Sequence, residues 1–556
     1  MLKDRAVEKL IAGNFIDRIV EYFAPVRASQ RMQARAQMSL VSEAFSSGGG
    51  YDGADRAGRE MGEWTPFPSD ADSSLAGLDD MRSRSRDAVR NQPVAGGIVN
   101  TTIMNTVGVG LTLQSHIDRE LLGLSDPEAD AWQRNLERRW KLWAGSKDCD
   151  IERTLSFNGH AQLALRSRII NGEAITLLPV KPLPGLTNPL RMQAIEADRL
   201  CNPNKQPDRR GFTGGVEKDE DGAPVRYWLT RGHPGNVLYA DPDRMVWDPY
   251  PAFNSKTGLR NVLHYYRPER PSQTRGIPML AGVLEPLKDM ARMTKAELKR
   301  AVVSALFTVF IKSTGQSLDN TPLAPAVRRL PGMTVQTGAG ESAATTGNIR
   351  LGYGAVVGLG RDQEIQTADP NLPNANFDPF FLACVRQIGL RIGIPYEVVI
   401  KHYTASYSAA RAAMEDAWRF FLCMRAELVE DHCDPVFAVW LAQEVAQGTI
   451  YAPGFFSDPM IRAAWMGHEW TGPSKPIINP VDEVEAAERR SALGITTLSQ
   501  ETAAMNGGDW ETNIVQRGKE EKMRATQGIP PAGAKTETPA AVKEAPVQNP
   551  DLPEAE

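Results

Sequence analysis

From Asn376 to His432 the chain runs NFDPFFLACVRQIGLRIGIPYEVVIKHYTASYSAARAAMEDAWRFFLCMRAELVEDH, and this stretch restricts the possible folds most. Asp378-Pro379 is a helix start, and Phe377, Phe381, Cys384, Ile388 and Ile392 recur every three or four residues as one apolar stripe. Gly393-Ile394-Pro395 ends that helix. A longer helix follows the Ser/Thr-rich YTASYS and carries Met414, Trp418, Phe421 and Leu428 at the same spacing. Between the two lies a polar loop, Tyr396 to Ser408. A helix, a polar loop and a helix leave no room there for a hydrolytic or redox site.

At 556 residues the chain exceeds one core, so two to four domains are expected. An apolar fraction of 42% and a charged fraction of 24% are those of a globular protein. Five cysteines without CxxC spacing read as buried thiols in a reducing compartment. No apolar run is long enough to span a membrane, and the N-terminal helix 1–24 alternates charges in a way no signal peptide does. A net charge of −5 argues against a broad DNA-gripping face, though not against a wall that surrounds DNA.

The rest of the chain alternates in period. Ser46–Ala76 is a Gly/Ser/Asp/Pro linker or arm, and residues 78–180 read as helices with short strands. Trp132, Leu136, Trp140 and Trp143 stripe one of these helices as core. Arg191–Arg267 changes to short strands separated by turns, a block of antiparallel hairpins. A helix of roughly 40 Å starts near Gly282, and residues 312–375 turn irregular and Gly-rich. Pro435 is expected to kink the long second helix, new helices follow Asn479-Pro480 and Gly508-Asp509, and the Pro-rich tail beyond Gln527 reads as disordered.

Catalytic patterns are missing. Gly108-Val109-Gly110 and Gly352-Tyr353-Gly354 lack the third glycine of a nucleotide loop, and no GxxxxGK[ST] or GxSxG occurs. His468-Glu469 has Gly472 where a zincin needs its second histidine, and the seven histidines do not cluster, so no metal and no cofactor is expected. His432-Cys433 reads as core rather than as a nucleophile pair. The run Arg82-Ser83-Arg84-Ser85-Arg86 is either a solvated or inter-subunit helix face or a phosphate contact, with the face preferred.

Four stretches resemble the lambda-type portal proteins of tailed phages. They are Arg84–Asp87 with Arg90, Asn91 and the turn at Gly108 and Gly110; Arg275-Gly276-Ile277-Pro278; Pro395-Tyr396-Glu397 with Tyr407, Ser408 and Arg411; and WMGHEWTGP, which holds Trp465, Trp470, Gly472 and Pro473. With Asn479-Pro480, Gly494, Thr496-Thr497 and Gly508-Asp509 following the last of them, they cover residues 80 to 526. Lys401–Ser406 departs from the family's usual acidic residue and asparagine, and Ala409 stands for a second serine.

The resemblance implies an α+β portal fold assembling into a ring of twelve copies at one capsid vertex. There double-stranded DNA enters and leaves, and the terminase large subunit and then a head–tail connector or adaptor dock. It implies an N-terminal helix and arm (1–77), a wing (78–281 and 409–478), stem helices (282–311 and 376–393), a clip (312–375), a tunnel loop (394–408), a helical crown (479–526) and a tail (527–556). It places Lys401, His402, Tyr403, Thr404 and Ser406 as DNA-contact candidates. Other partners would be the major capsid or scaffold protein, with no membrane and no enzymatic activity, and assembly would occur in the bacterial cytoplasm. Another virion protein, such as a head–tail adaptor or minor capsid protein, is the alternative reading, but an adaptor would be far shorter.

Overall fold

Asn91-Gln92-Pro93 breaks the first ordered region into two helices, α1 (Leu78–Asn91) and α2 (Pro93–Thr106), because proline cannot donate to the preceding turn but suits the first position of a new one. The structure is a computed structural model that describes residues 63–530, apart from 65, 67, 186–187, 237–241, 307–309, 312–356, 359–375, 404–405 and 478. The expected N-terminal helix 1–24, most of the arm 1–77 and of the clip 312–375, the strand read at NVLYA and the tail beyond Pro530 lie outside the described residues.

After α2 come β1 (Thr112–Ser115), α3 (Asp126–Gly145) and α4 (Phe157–Asn171). The helix α3 starts at the expected Asp126-Pro127, with Ser125 as its cap, whose backbone N–H donates to Glu128 at 2.9 Å, one arm of a capping box. Seven strands follow, β2 (Glu173–Leu177), β3 (Gln193–Ile195), β4 (Phe212–Thr213), β5 (Val216–Lys218), β6 (Pro224–Thr230), β7 (Trp247–Pro251) and β8 (Val262–Tyr266). They form two antiparallel sheets, ordered β3-β2-β8 and β4-β5-β6-β7. The expected hairpin block is therefore present, with β4 and β7 additional strands.

The long helix α5 covers Leu284–Leu306, shorter than the expected 282–311: Ala281–Val283 is a 3-10 turn, and Phe310–Ile311 (β9) pairs in parallel with Val357–Gly358 (β10). Next come α6 (Phe377–Ile392), α7 (Tyr396–Ile400) and α8 (Tyr407–Leu428). Just before Pro435, where a kink is expected, the helix widens into one π turn at Val429–Cys433, and α9 (Asp434–Ala446) continues it. The described chain closes with α10 (Pro459–Trp465), β11 (His468–Thr471), α11 (Pro480–Ala492), α12 (Leu498–Asn506) and α13 (Trp510–Thr526). Strand β11 returns to pair antiparallel with β1, Thr112 opposite Thr471.

Trp140 is the hub of the main core. Its ring lies 5.0–5.7 Å from those of Trp143, Phe157, Phe437, Trp440 and Trp470, mostly edge to face, so α3, α4, α9 and β11 converge on one indole. Trp132 packs on Trp465 at 4.7 Å, so the tryptophan stripe is packing, as its spacing suggested. A second, smaller core fills the space between the two sheets, with Ile175, Leu200, Tyr227, Leu229 and Val262. The thiols divide: Cys149 and Cys433 are buried, Cys201 and Cys384 half-buried, while Cys423 is exposed on α8, against the expectation of burial.

Candidate functional site

The segment 394–408 is built on a tight backbone crossing. A Cβ at Gly389 would stand 2.5 Å from the Ile394 carbonyl oxygen, so glycine there lets the chain fold back directly onto α6. Gly393 takes φ +89° to end the helix, with the Phe420 ring beneath it. Pro395 then starts α7, whose Val398 and Val399 are buried. The segment is therefore not the uninterrupted polar loop its composition suggests: it contains one helical turn, and Tyr407 and Ser408 already belong to α8.

What remains is a short exposed tip. Lys401 closes α7 in the left-handed region at φ +56°, and the His402 N–H donates to the Glu397 carbonyl at 3.0 Å. Lys401 and His402 are exposed, as are Ser406 and Ser408; Thr404 lies outside the described residues. Tyr403 is 47% exposed and donates its hydroxyl to the Met414 sulfur at 3.7 Å; partial burial raises its pKa. Ser406 caps α8, accepting from the Ala409 N–H at 3.4 Å. Arg411 pairs with Glu483 of α11 at 3.4 Å. Two further arginines on α6 are engaged elsewhere: the Arg386 guanidinium lies 4.7 Å over the Tyr396 ring, and Arg391 approaches Glu269 at 3.8 Å.

Residues from three of the four stretches that carry the family resemblance meet at two nodes, one part-buried and one fully buried. The first centres on Arg425 of α8, which donates to the carbonyls of Thr106 (2.9 Å), Asn105 (3.2 Å) and Pro473 (2.9 Å), capping the end of α2 and holding the 472–477 segment. Gly108 (φ +56°) is pressed against the Pro473 ring and Gly472 against the Arg425 guanidinium. Gly110 admits Asn158, whose side chain accepts from the Leu111 N–H at 3.0 Å. Nearby, Trp470 donates to Asp434 at 2.7 Å and Trp465 to the Pro453 carbonyl at 3.1 Å. Asn91 belongs to neither node; it donates to Asp87 on the exposed face of α1.

The second node is Glu173, the first residue of β2. Its carboxylate is fully buried and receives Arg82 (2.6 Å), Arg275, His264 (3.0 Å) and the Gly276 N–H (3.0 Å). Burial alone would raise its pKa, but Arg275 and Arg82 outweigh it and hold the carboxyl well below the usual range. Burial in turn lowers His264, so the imidazole is neutral beside the two guanidiniums. Arg86 reaches the neighbouring Asp198. Behind the ion cluster the backbones of Gly172 and Gly276 touch: a Cβ on Gly172 would stand 2.5 Å from the Gly276 carbonyl carbon.

This corrects the reading of the Arg-Ser run. Arg82 is 1% exposed and Arg86 half-buried, neither a solvated face nor a phosphate contact; Arg84 alone is solvated, paired loosely with Asp80. Glu173 itself went unnoticed in the sequence, although a carboxylate opening the nearly apolar strand run Ala174-Ile175-Thr176-Leu177-Leu178 is the signal that would have found it.

Among the described residues no group of three metal-ligating side chains is found, and no helix is long and apolar enough to cross a membrane. With the scaffold and its two nodes in view, the comparison with known proteins gives the class: residues 57–425 match the phage portal proteins, lambda family, the proteins at a capsid's portal vertex. The chain belongs to that family. It is 25% identical over 499 residues to portal protein B of Escherichia phage lambda, covering 87% of this chain and 92% of that protein. To the portal protein of Escherichia phage N15 it is 25% identical over 509 residues, covering 89% and 93%. Among solved structures it is similar to a chain of the native gene transfer agent virion at a TM-score of 0.41, with 15% identity over 81% of this chain and 94% of that one.

Proposed function

We propose that the protein assembles as a ring of twelve copies at the capsid vertex and that double-stranded DNA passes through its bore during packaging and ejection. In this reading α5 and α6 are the stem, 394–408 the tunnel loop, residues 78–281 and 409–478 the wing and 479–526 the crown. The clip, 312–375, receives the terminase large subunit and then the head–tail connector, and assembly takes place in the host cytoplasm around capsid or scaffold protein.

The observation that supports DNA contact is the tip Lys401–Tyr403, exposed at the end of a turn whose other side is anchored by Val398 and Val399. A channel must hold DNA weakly. Six to ten phosphate contacts already make affinity vary by about 10³–10⁵ with salt, so one lysine per copy repeated around a ring supplies as much cation as a sliding duplex tolerates. Beyond roughly 8 Å the rest of the protein's charge is screened, which leaves the local lining in control.

Packaging with Lys401→Ala portals tests this. Shortened or poorly retained genomes are expected. Wild-type genome length and retention would remove Lys401 from the channel lining.

A further inference from the structure

Two exposed helices carry one template with opposite charge. On α11 the outward face reads Val481-x-x-Val484-Glu485-x-x-Glu488; on α13 a face reads Val515-x-x-Gly518-Lys519-x-x-Lys522. At 100° per residue each set falls within one stripe about 100° wide, the two valines or the valine and glycine beside the charges. Val481, Val484 and Val515 are 65%, 55% and 58% exposed, and the four charged residues are exposed as well. Glu485 approaches only the exposed Arg489, at 3.7 Å, within its own helix.

Neither stripe is satisfied within one copy. The 17 residues of α13 include none that is buried, although isolated helices of this length are marginal in water. Gly518 stands mid-helix, where glycine costs stability relative to alanine, and a Cβ there would meet nothing within 4 Å. The protomer itself therefore gives no reason for that glycine; a second helix approaching closely would. Compensation of helix dipoles does not explain the charges either, since Glu485 and Glu488 lie beyond the first turn of α11 and Lys519 and Lys522 precede the last turn of α13.

We infer that α11 of one copy packs against α13 of the next, parallel and in register, valine against valine, Val484 against Gly518, and Glu485 and Glu488 against Lys519 and Lys522. The contact is head to tail and uses two different surfaces, the kind that closes into a ring. It rests on the ring reading above and names where neighbouring copies meet at the C-terminal end of the described chain. Each charge pair is weak alone, but one interface per copy repeats it around the assembly.

Charge reversal on the full-length chain tests it, with ring content read by native mass spectrometry. E485K/E488K and K519E/K522E are each expected to lower the ring fraction at least tenfold. Co-expressing the two variants restores rings, because each reversed α11 then meets a reversed α13 on its neighbour; pairing within one chain would not be rescued that way. Gly518→Leu has open space around it in the protomer and introduces a better helix former than glycine, so it is expected to leave thermal unfolding of the monomer unchanged or slightly raised while reducing rings. If the wild-type chain forms rings and these variants do so equally well, or if co-expression rescues nothing, the interface is wrong and the ring stands. A wild-type chain that stays monomeric under all conditions overturns the ring reading and this contact with it.

Discussion

Glu173 lies where two arginines distant in sequence, Arg82 and Arg275, need one counter-charge, and its burial makes the arrangement all-or-none. Glu173→Gln keeps the shape but leaves the buried Arg275 guanidinium without its carboxylate and Arg82 with only Asp198, at 3.8 Å. A loss of about 3–5 kcal/mol is expected, checked by denaturant unfolding. A second residue-scale prediction concerns the π turn. Burial pushes His432 down to about 3 from a usual 6.5, while burial pushes its neighbour Asp431 up to about 6 from 3.8. Unfolded chains take a proton on His432 near 6.5 that the folded protein refuses until about 3, so stability falls as pH drops through that window. Asp431 acts in the opposite sense: the folded protein takes its proton first, so its contribution rises as pH falls from about 6 to 3.8. The histidine window is the wider. His432→Leu is therefore expected to flatten the acid-side loss of Tm between pH 6.5 and 4, and an unchanged Tm–pH profile would show that His432 is not its source.

Among the elements, the loop between α6 and α8 depends on a backbone crossing rather than on its polar side chains. Gly389→Ala places a methyl against the Ile394 carbonyl, which is backbone and cannot rotate away. A destabilisation of about 2 kcal/mol is expected, together with faster hydrogen exchange across 394–400; wild-type protection of those amides would disprove the crossing's role. Helices α6 and α8 were legible from their stripes, and so was the stop at Gly393-Ile394-Pro395. The turn of helix at Tyr396–Ile400 was not, because five residues carry too little period to be told from a loop. The π turn was equally hidden: proline in a helical pattern announces a disturbance, but neighbouring packing decides whether the helix bends or widens.

At the scale of the whole molecule, the mixed helix-and-sheet architecture follows from the alternation of periods along the chain, and family membership explains why separated motifs recur together. Those motifs, 84–110, 275–278 and 465–473, are far apart in sequence. Two of them turn out to be halves of one joint at Arg425, and a third closes on Glu173 with Arg82, which lies just before the first. The stripes on α11 and α13 are left exposed on the described chain.

The sequence by itself determined the local matters: where helices begin and end, which tryptophans are core, and that no nucleotide loop is written into the chain. Period, caps and turn residues act within a few positions, so they can be read without knowing the fold. Only the tertiary structure decided that Arg82 is a buried ion-pair partner rather than a surface charge, that Gly172 and Gly276 interlock, and that Cys423 is exposed. Burial and pairing are properties of two distant segments brought together, and no single segment carries them.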